Sequence, residues 1–448
     1  MKDNVYLDNA ATTWPKPEAV HAFADRFVRA RGVNPGRGGH AMAADADRMV
    51  MQARRLLGAC FGFSGGASRV VFAHNGTDAL GTAIRGLVRP GDRLVTTRLE
   101  HNAVARTLAH LERDANLAVE RVAADARGYV PVEAVARALE GGARALVVNH
   151  ASNVIGTVQP LAEIADVARE RGVALVVDAA QTAGVLPIDV DALGIAALAF
   201  PGHKGLFGPT GSGGLIVAPG VELRPSRVGG TGVDSASVYQ PEALPFRLEA
   251  GTLGLPGIAG LHAAQRWLHA LGAHLEDDPA GSDAVAFVPD AAFGIAGVPD
   301  GAPDPCGIGA RGQGIEALLD EVDGIDPAVH ARRVRAAMAR IHAVELAHVR
   351  RIEAELARYP AVRVLGDGAN GERVATLSFT VEGREATEIA ERLDADFGVC
   401  SRAGLQCAPA VHEALGTLDA GGTVRLSPGW YTDEEDLARL FEGLADVL

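Results

Sequence analysis

Through the first 260 residues, short β-branched runs alternate with helical stretches. This alternation restricts the chain to βαβ units around a mainly parallel sheet. The runs that read as strands are 69–73, 93–97, 143–149, 173–177, 195–200 and 214–217, and helical stretches such as 161–171 lie between them. At 448 residues the chain is long enough for two domains. No window approaches the roughly 18 uninterrupted apolar residues of a membrane span. The opening Met1-Lys2-Asp3-Asn4-Val5 lacks the apolar region of a secretory signal, so a cytoplasmic protein with no membrane partner is expected.

The net charge of −14 argues against nucleic acid as a main partner. Much of the acidity sits in one place. Between 273 and 329, twelve Asp or Glu face one Arg, a contribution of −11. That stretch also holds six Pro and nine Gly and interrupts two helical regions, 258–271 and 330–359. It reads as an acidic Gly/Pro-rich insertion, a solvated loop in which 315–322 has the pattern of a short helix. After it, Val334, Met338, Ile341, Val349, Ile352 and Leu356 form a helix stripe. The last hundred residues read as α+β: a strand at 374–381, a helix at 384–397, a strand at 424–426, and a final helix opened by a Thr432–Glu435 capping box. The expected division is a large domain over 14–260, the insertion over 273–329, and a smaller α+β domain built from 1–13 and 330–448.

Polar residues suited to chemistry follow the strands in successive clusters. In open α/β sheets ligands bind beyond the carboxyl ends of the strands, so these turns are expected to converge. After 69–73 comes His74-Asn75-Gly76-Thr77-Asp78 at a helix start, where free N–H groups and a hydroxyl suit a phosphate, although Gly and Thr also cap helices that bind nothing. After 93–97 comes Glu100-His101-Asn102. Asp178 ends an apolar strand, where it needs a partner because unpaired burial costs several kcal/mol; a helix cap or a structural ion pair would also satisfy it. The next strand runs into Pro201-Gly202-His203-Lys204-Gly205. A lysine there can form a Schiff base with a carbonyl cofactor, the alternative being a solvated surface lysine. The glycine run 208–214 contains no Gly-Lys-Ser/Thr, so it is not a Walker A loop. Lysine, acid and phosphate cradle have a joint meaning. Pyridoxal phosphate needs a lysine for its aldehyde and an acid to keep its pyridine nitrogen protonated. Four cysteines, Cys60, Cys306, Cys400 and Cys407, show no CxxC spacing, which argues against a zinc site or a disulfide framework.

Five segments carry a family likeness: Tyr6-Leu7-Asp8-Asn9-Ala10-Ala11-Thr12-Thr13, Asn34-Pro35-Gly36-Arg37-Gly38-Gly39-His40, Ser152-Asn153-Val154-Ile155-Gly156-Thr157, Asp178-Ala179-Ala180-Gln181 and Gly202-His203-Lys204. With them the chain resembles the class V aminotransferase-like cysteine desulfurases over nearly its whole length apart from 273–329. The resemblance implies the pyridoxal-phosphate fold of type I, a homodimer, and a role for each matching residue. Lys204 would be the Schiff-base lysine, Asp178 would pair with the pyridine nitrogen, and His101 would stack on the ring. Asn153 and Gln181 would bond the ring substituents. Gly76, Thr77, Asp78 and His203 would hold the phosphate, and Thr252 would reach the phosphate across the dimer interface. Arg402-Ala403-Gly404-Leu405-Gln406-Cys407-Ala408-Pro409 resembles the segment ending in the catalytic cysteine. Arg402 and Arg425 would hold the substrate carboxylate, for which the planar guanidinium fork is suited. Cys400 and Cys60 sit in apolar patterns that suit inert packed thiols. The chain departs from the family at Pro201, where many relatives have a hydroxyl residue, and at Gln406, where a His is common.

The implied reaction takes L-cysteine. Lys204 removes the Cα proton, and the Cys407 thiolate attacks the substrate sulfur, giving L-alanine and a persulfide that passes to an acceptor protein or small thiol. A selenocysteine lyase, a C–S lyase or an aminotransferase on the same fold is the alternative, and Cys407 argues against it. A non-catalytic scaffold is the other, and intact Lys204, Asp178 and His101 argue against that.

Overall fold

The structure is a computed structural model that describes residues 4–36, 38–125, 127–277, 314–366 and 372–448. Its largest sheet has seven strands in the order Val70–Ala73, Gly213–Val217, Ala197–Pro201, Ala174–Asp178, Ala145–Asn149, Arg93–Thr97 and Ala118–Val122. Gly213–Val217 runs antiparallel to both neighbours and the other pairs are parallel. All six strands expected from the alternation lie in this sheet. Ala145–Asn149, Ala197–Pro201 and Gly213–Val217 are buried at every position, so they read as continuous apolar runs, as strands covered on both faces do. Alternate residues serve the two covers. Leu146, Val148, Leu175 and Leu198 enter one core, while Ala145, Val147, Val176 and Ala199 enter the other. The seventh strand, Ala118–Val122, escapes sequence reading because it is an edge whose Glu120 and Arg121 face solvent.

A four-stranded antiparallel sheet follows in the order Arg402–Gly404, Thr423–Leu426, Leu377–Val381 and Val362–Leu365. Phe379 and Val424 of this sheet pack with Ile389 and Leu393 of the helix Ala386–Phe397, and with Leu437 and Leu440 of the helix Glu434–Val447. Val5 and Leu7 share that core, and Val5–Tyr6 pairs in parallel with Val399–Cys400. Val5–Leu7 thus pack and pair with residues of the carboxy-terminal half.

Two expectations are corrected. The final helix is capped by Asp433 with Asp436, each side chain accepting from the other's N–H, and not by Thr432 with Glu435. Thr432 instead accepts from the Gly429 N–H at 3.0 Å. Aspartate caps as well as threonine does, and this frame turns Leu437, Leu440 and Leu444 inward. The ends of the insertion are also corrected, while the short helix expected at 315–322 is present. The helix Leu255–Asp277 runs into its start, and the helix Pro327–Leu356 begins within its end. Between them Ile315–Asp323 is a helix that buries Ile315, Leu318, Leu319 and Val322. Arg48 bridges Asp320 and Asp323 at 2.6 Å each, and Gln52 donates to the Leu319 carbonyl at 2.7 Å, so this helix docks on Ala41–Cys60. Residues 278–313, with Cys306, lie outside the described residues.

One buried ion pair ties the helix Ala41–Cys60 to the sheet. Arg54 and Glu249 face each other through two hydrogen bonds of 2.8 Å, and Glu249 also accepts the Phe72 N–H at 2.6 Å. Arg54 donates to the Val70 carbonyl and lies over the Phe72 ring. Removing one partner of a buried pair strands the other charge, at about 3–5 kcal/mol. Glu249→Ala is therefore expected to lower the thermal midpoint sharply, and Arg54→Met with Glu249→Leu to recover part of that loss. Calorimetry showing equal losses for the single and double variants would refute the assignment.

Candidate active site

The turns beyond the strand ends do converge. A cleft of about 310 Å³ is lined by Gly76, Thr77, His101, Asn153, Asp178, Gln181, His203 and Lys204, together with Asn149 and Pro201. Two helices begin at it. Asn75 caps Gly76–Leu87, its side chain accepting from the Asp78 N–H at 2.9 Å. His101 caps Asn102–Ala115, its Nδ1 accepting from the Ala103 N–H at 3.0 Å. The lysine loop is held by close packing that only glycine permits. A Cβ on Gly202 would meet the Ser212 hydroxyl at 2.3 Å, and one on Gly205 would meet the Ala183 carbonyl at 2.7 Å.

Electrostatics set the protonation states. Burial lowers Lys204 to about 8, with Asp178 opposing the shift. Burial raises Asp178, while the Ala180 N–H, donating at 2.8 Å, and Lys204 draw it down. Burial, aided by Lys204, lowers His101 to about 4, so its imidazole is neutral; with Nδ1 accepting from Ala103, the proton sits on Nε2. Burial likewise lowers His203 to about 4. Among the described residues, His203 Nδ1 and Asn153 Oδ1 are buried with no hydrogen-bond partner. Gln181 donates to the Ala10 carbonyl at 3.1 Å, and Asn153 donates to the Gln406 carbonyl at 2.6 Å.

Not every candidate lies in this cleft. The Asp78 carboxylate accepts from the His74 N–H and pairs with Arg227, each at 3.0 Å. Thr252 is exposed and lines a separate depression with Arg227 and Gly251. Arg402 and Arg425 face each other across neighbouring strands. Arg425 is buried, donating to Asp8 at 2.5 Å and to the Asn153 carbonyl at 2.9 Å, while Arg402 is exposed and 3.7 Å from Asp8. Cys407 is exposed, and its carbonyl accepts the Asn102 N–H at 2.8 Å, which ties the thiol-bearing turn to the helix that His101 caps. Gln406 is buried and bonded to His412 and Thr423. Cys60 is buried, which raises its thiol to about 12. Cys400 is half-buried with its Sγ 3.8 Å from Asp394, so it is less enclosed than the apolar pattern implies.

Sequence reading attaches no role to several residues that build the site. The His203 carbonyl accepts from the Thr13 N–H at 3.1 Å, the Thr12 hydroxyl at 3.0 Å and Lys16 Nζ at 2.7 Å. The Tyr6–Thr13 motif is the signal that could have found them. A reactivity profile follows from the lowered lysine. A lysine reacts as the free amine, so its modification rises through its pKa. In cofactor-free protein, Lys204 is expected to react with trinitrobenzenesulfonate with a midpoint near pH 8, against about 10.4 for exposed lysines. Peptide mapping that placed Lys204 with the surface lysines would contradict the site's electrostatics.

The chain matches the family described as Aminotransferase class-V over residues 5–278 and 330–440. A probable cysteine desulfurase of Methanothermobacter thermautotrophicus is 29% identical over 453 residues, covering 100% of this chain and 95% of the relative. A cysteine desulfurase of Yersinia pestis is 32% identical over 277 residues, covering 60% of this chain and 68% of the relative. Among solved structures, an apo cysteine desulfurase from Thermococcus onnurineus superposes with a TM-score of 0.78 at 25% identity, covering 99% of this chain and 94% of the other. The chain belongs to the class V aminotransferase family, whose pattern it carries on both sides of residues 279–329.

Proposed function

We propose that this protein is a pyridoxal-phosphate-dependent cysteine desulfurase that converts L-cysteine to L-alanine and receives the sulfur on Cys407. The observation that carries the proposal is convergence. Lys204, Asp178 and His101 meet in one cleft, and the Asn153 that lines it is bonded to both the Cys407 turn and Arg425. Full-length relatives named as desulfurases support the same reading.

The residues fit the cofactor. Lys204 offers an amine whose free-base form is accessible near pH 8. Asp178 is a buried acid at the end of the neighbouring strand. The orphaned Asn153 Oδ1 and His203 Nδ1 lack partners that a polar ligand would supply. The start of Gly76–Leu87 offers unbonded N–H groups to a phosphate. When bound, pyridoxal phosphate would supply a carbonyl for the amine and a sink for electrons from the substrate Cα.

The chain's own groups then divide the work. Arg402 and Arg425 hold the substrate α-carboxylate. Lys204 Nζ takes the Cα proton, and Asp178 keeps the ring nitrogen protonated. The Cys407 thiolate attacks the substrate Sγ: an S–S bond forms, the Cβ–S bond breaks, its electron pair remains with carbon, Cβ gains a proton, and Lys204 returns a proton to Cα. The products are alanine and a Cys407 persulfide, which an acceptor protein or small thiol reduces. A cytoplasmic setting, where thiols stay reduced, suits that chemistry. Thr252, exposed and outside the cleft, has a role only if it reaches a partner's site in a two-fold homodimer.

The test separates cofactor from sulfur. Cys407→Ser is expected to keep the visible absorption of the loaded protein while alanine formation from cysteine falls by about a hundredfold or more. Lys204→Ala is expected to lose covalent attachment. Unchanged alanine formation in the Cys407 variant would move the protein to a lyase or aminotransferase reaction.

A further inference from the structure

We propose that Asp8 sets the net charge of the Arg402–Arg425 pair, so that the pair accepts a monoanionic carboxylate and disfavours a dianion. The inference deepens the proposed function, resting on its assignment of the pair to the substrate carboxylate. Arg402 and Arg425 are register partners on antiparallel strands, so their side chains share a face. Like charges directly opposite each other destabilise a sheet unless an anion lies between them. Among the described residues, Asp8 is the ion-pair partner of both: Oδ1 at 2.5 Å from Arg425 and Oδ2 at 3.7 Å from Arg402.

Backbone, rather than attraction to the arginines, places Asp8. Asp8 bridges Ser427, the Leu7 N–H donates to the Cys400 carbonyl at 2.9 Å, and the Ser427 N–H donates to the Leu7 carbonyl at 2.7 Å. Two guanidiniums and one fixed carboxylate leave a single positive charge. The division of contacts is uneven. Arg425 is 2% exposed and donates once from each terminal nitrogen, to Asp8 and to the Asn153 carbonyl, which leaves a second N–H on each, whereas Arg402 is 43% exposed and only loosely paired. One arriving carboxylate neutralises the pair. A second negative charge would meet Asp8 with neither arginine left to balance it, Lys204 being the amine that the proposed function gives to the cofactor.

The experiment is a calorimetric titration of the cofactor-loaded protein at low salt with propionate and with malonate. Wild type is expected to bind propionate more tightly. Asp8→Asn is expected to raise the malonate-to-propionate affinity ratio at least tenfold, and Asp8→Glu to keep the wild-type ratio. A ratio unchanged in Asp8→Asn, with both affinities moved together, would show a merely structural counter-ion and overturn the proposal. So would wild type that binds malonate more tightly, an outcome readable even if Asp8→Asn fails to fold. No sulfur is removed in these titrations, so failure of the desulfurase reading would show in the alanine assay and leave the anion ratio interpretable.

Discussion

The carbonyl of His203 is the point on which the two halves of the site depend. Three donors from the amino-terminal segment close on it: the Thr13 N–H, the Thr12 hydroxyl and the Lys16 ammonium. That carbonyl immediately precedes Lys204, so the bonds fix where the lysine loop leaves the sheet. The same segment reaches the other half through its pairing with Val399–Cys400 and through Asp8 on Arg425. A strap of about ten residues therefore sets the distance between the lysine and the arginine pair. Burial lowers Lys16 to about 8, and below that pH its ammonium donates the charge-assisted bond.

The strand ends bring a second constraint, since they collect acids in an apolar sheet. Glu100 and Asp178 flank Asn149, the first near it through the Asn149 N–H at 3.1 Å and the second as its register partner. Burial raises Glu100 to about 8, and the charge of Asp178 adds to the shift. Glu100 is therefore neutral at pH 7, and Asp178 faces Lys204 without a second anion beside it. The cleft sets a buried acid against a tunable amine, the arrangement that proton chemistry at a lysine needs.

Much of the cleft's geometry was legible because it depends on local order. A strand, its carboxyl end and the following helix cap are contiguous, so His101, Asp178 and Lys204 can be read in one pass. What stayed hidden depends on distant pairs. Asp8 and Arg425 are 417 residues apart, and Thr12 and His203 are 191 apart. The quoted motif contains Asp8 and Thr12, but no spacing within it says what they touch. The edge strand Ala118–Val122 and the docking of Ile315–Asp323 were hidden for a related reason. Each has a pattern whose meaning depends on a neighbouring surface that sequence does not display.

Gln406 shows how a departure from a family pattern is absorbed. Its side chain does not face outward beside the thiol. Its Nε2 donates to the Thr423 carbonyl at 3.0 Å, and its Oε1 lies 2.9 Å from His412 Nε2. Because that oxygen can only accept, His412 carries its proton on Nε2, leaving Nδ1, 2.9 Å away, to accept from Thr417. The amide is thus spent on holding the turn from below, while its backbone carbonyl holds Asn153 at 2.6 Å. Gln406 and Cys407 both adopt left-handed φ, 41° and 59°, a conformation that costs of order 1–3 kcal/mol per residue and persists only where neighbours over-determine it. The Asn102 N–H on the Cys407 carbonyl is one such neighbour and the His412–Thr423 network is another. The thiol is therefore presented from a turn fixed on both sides.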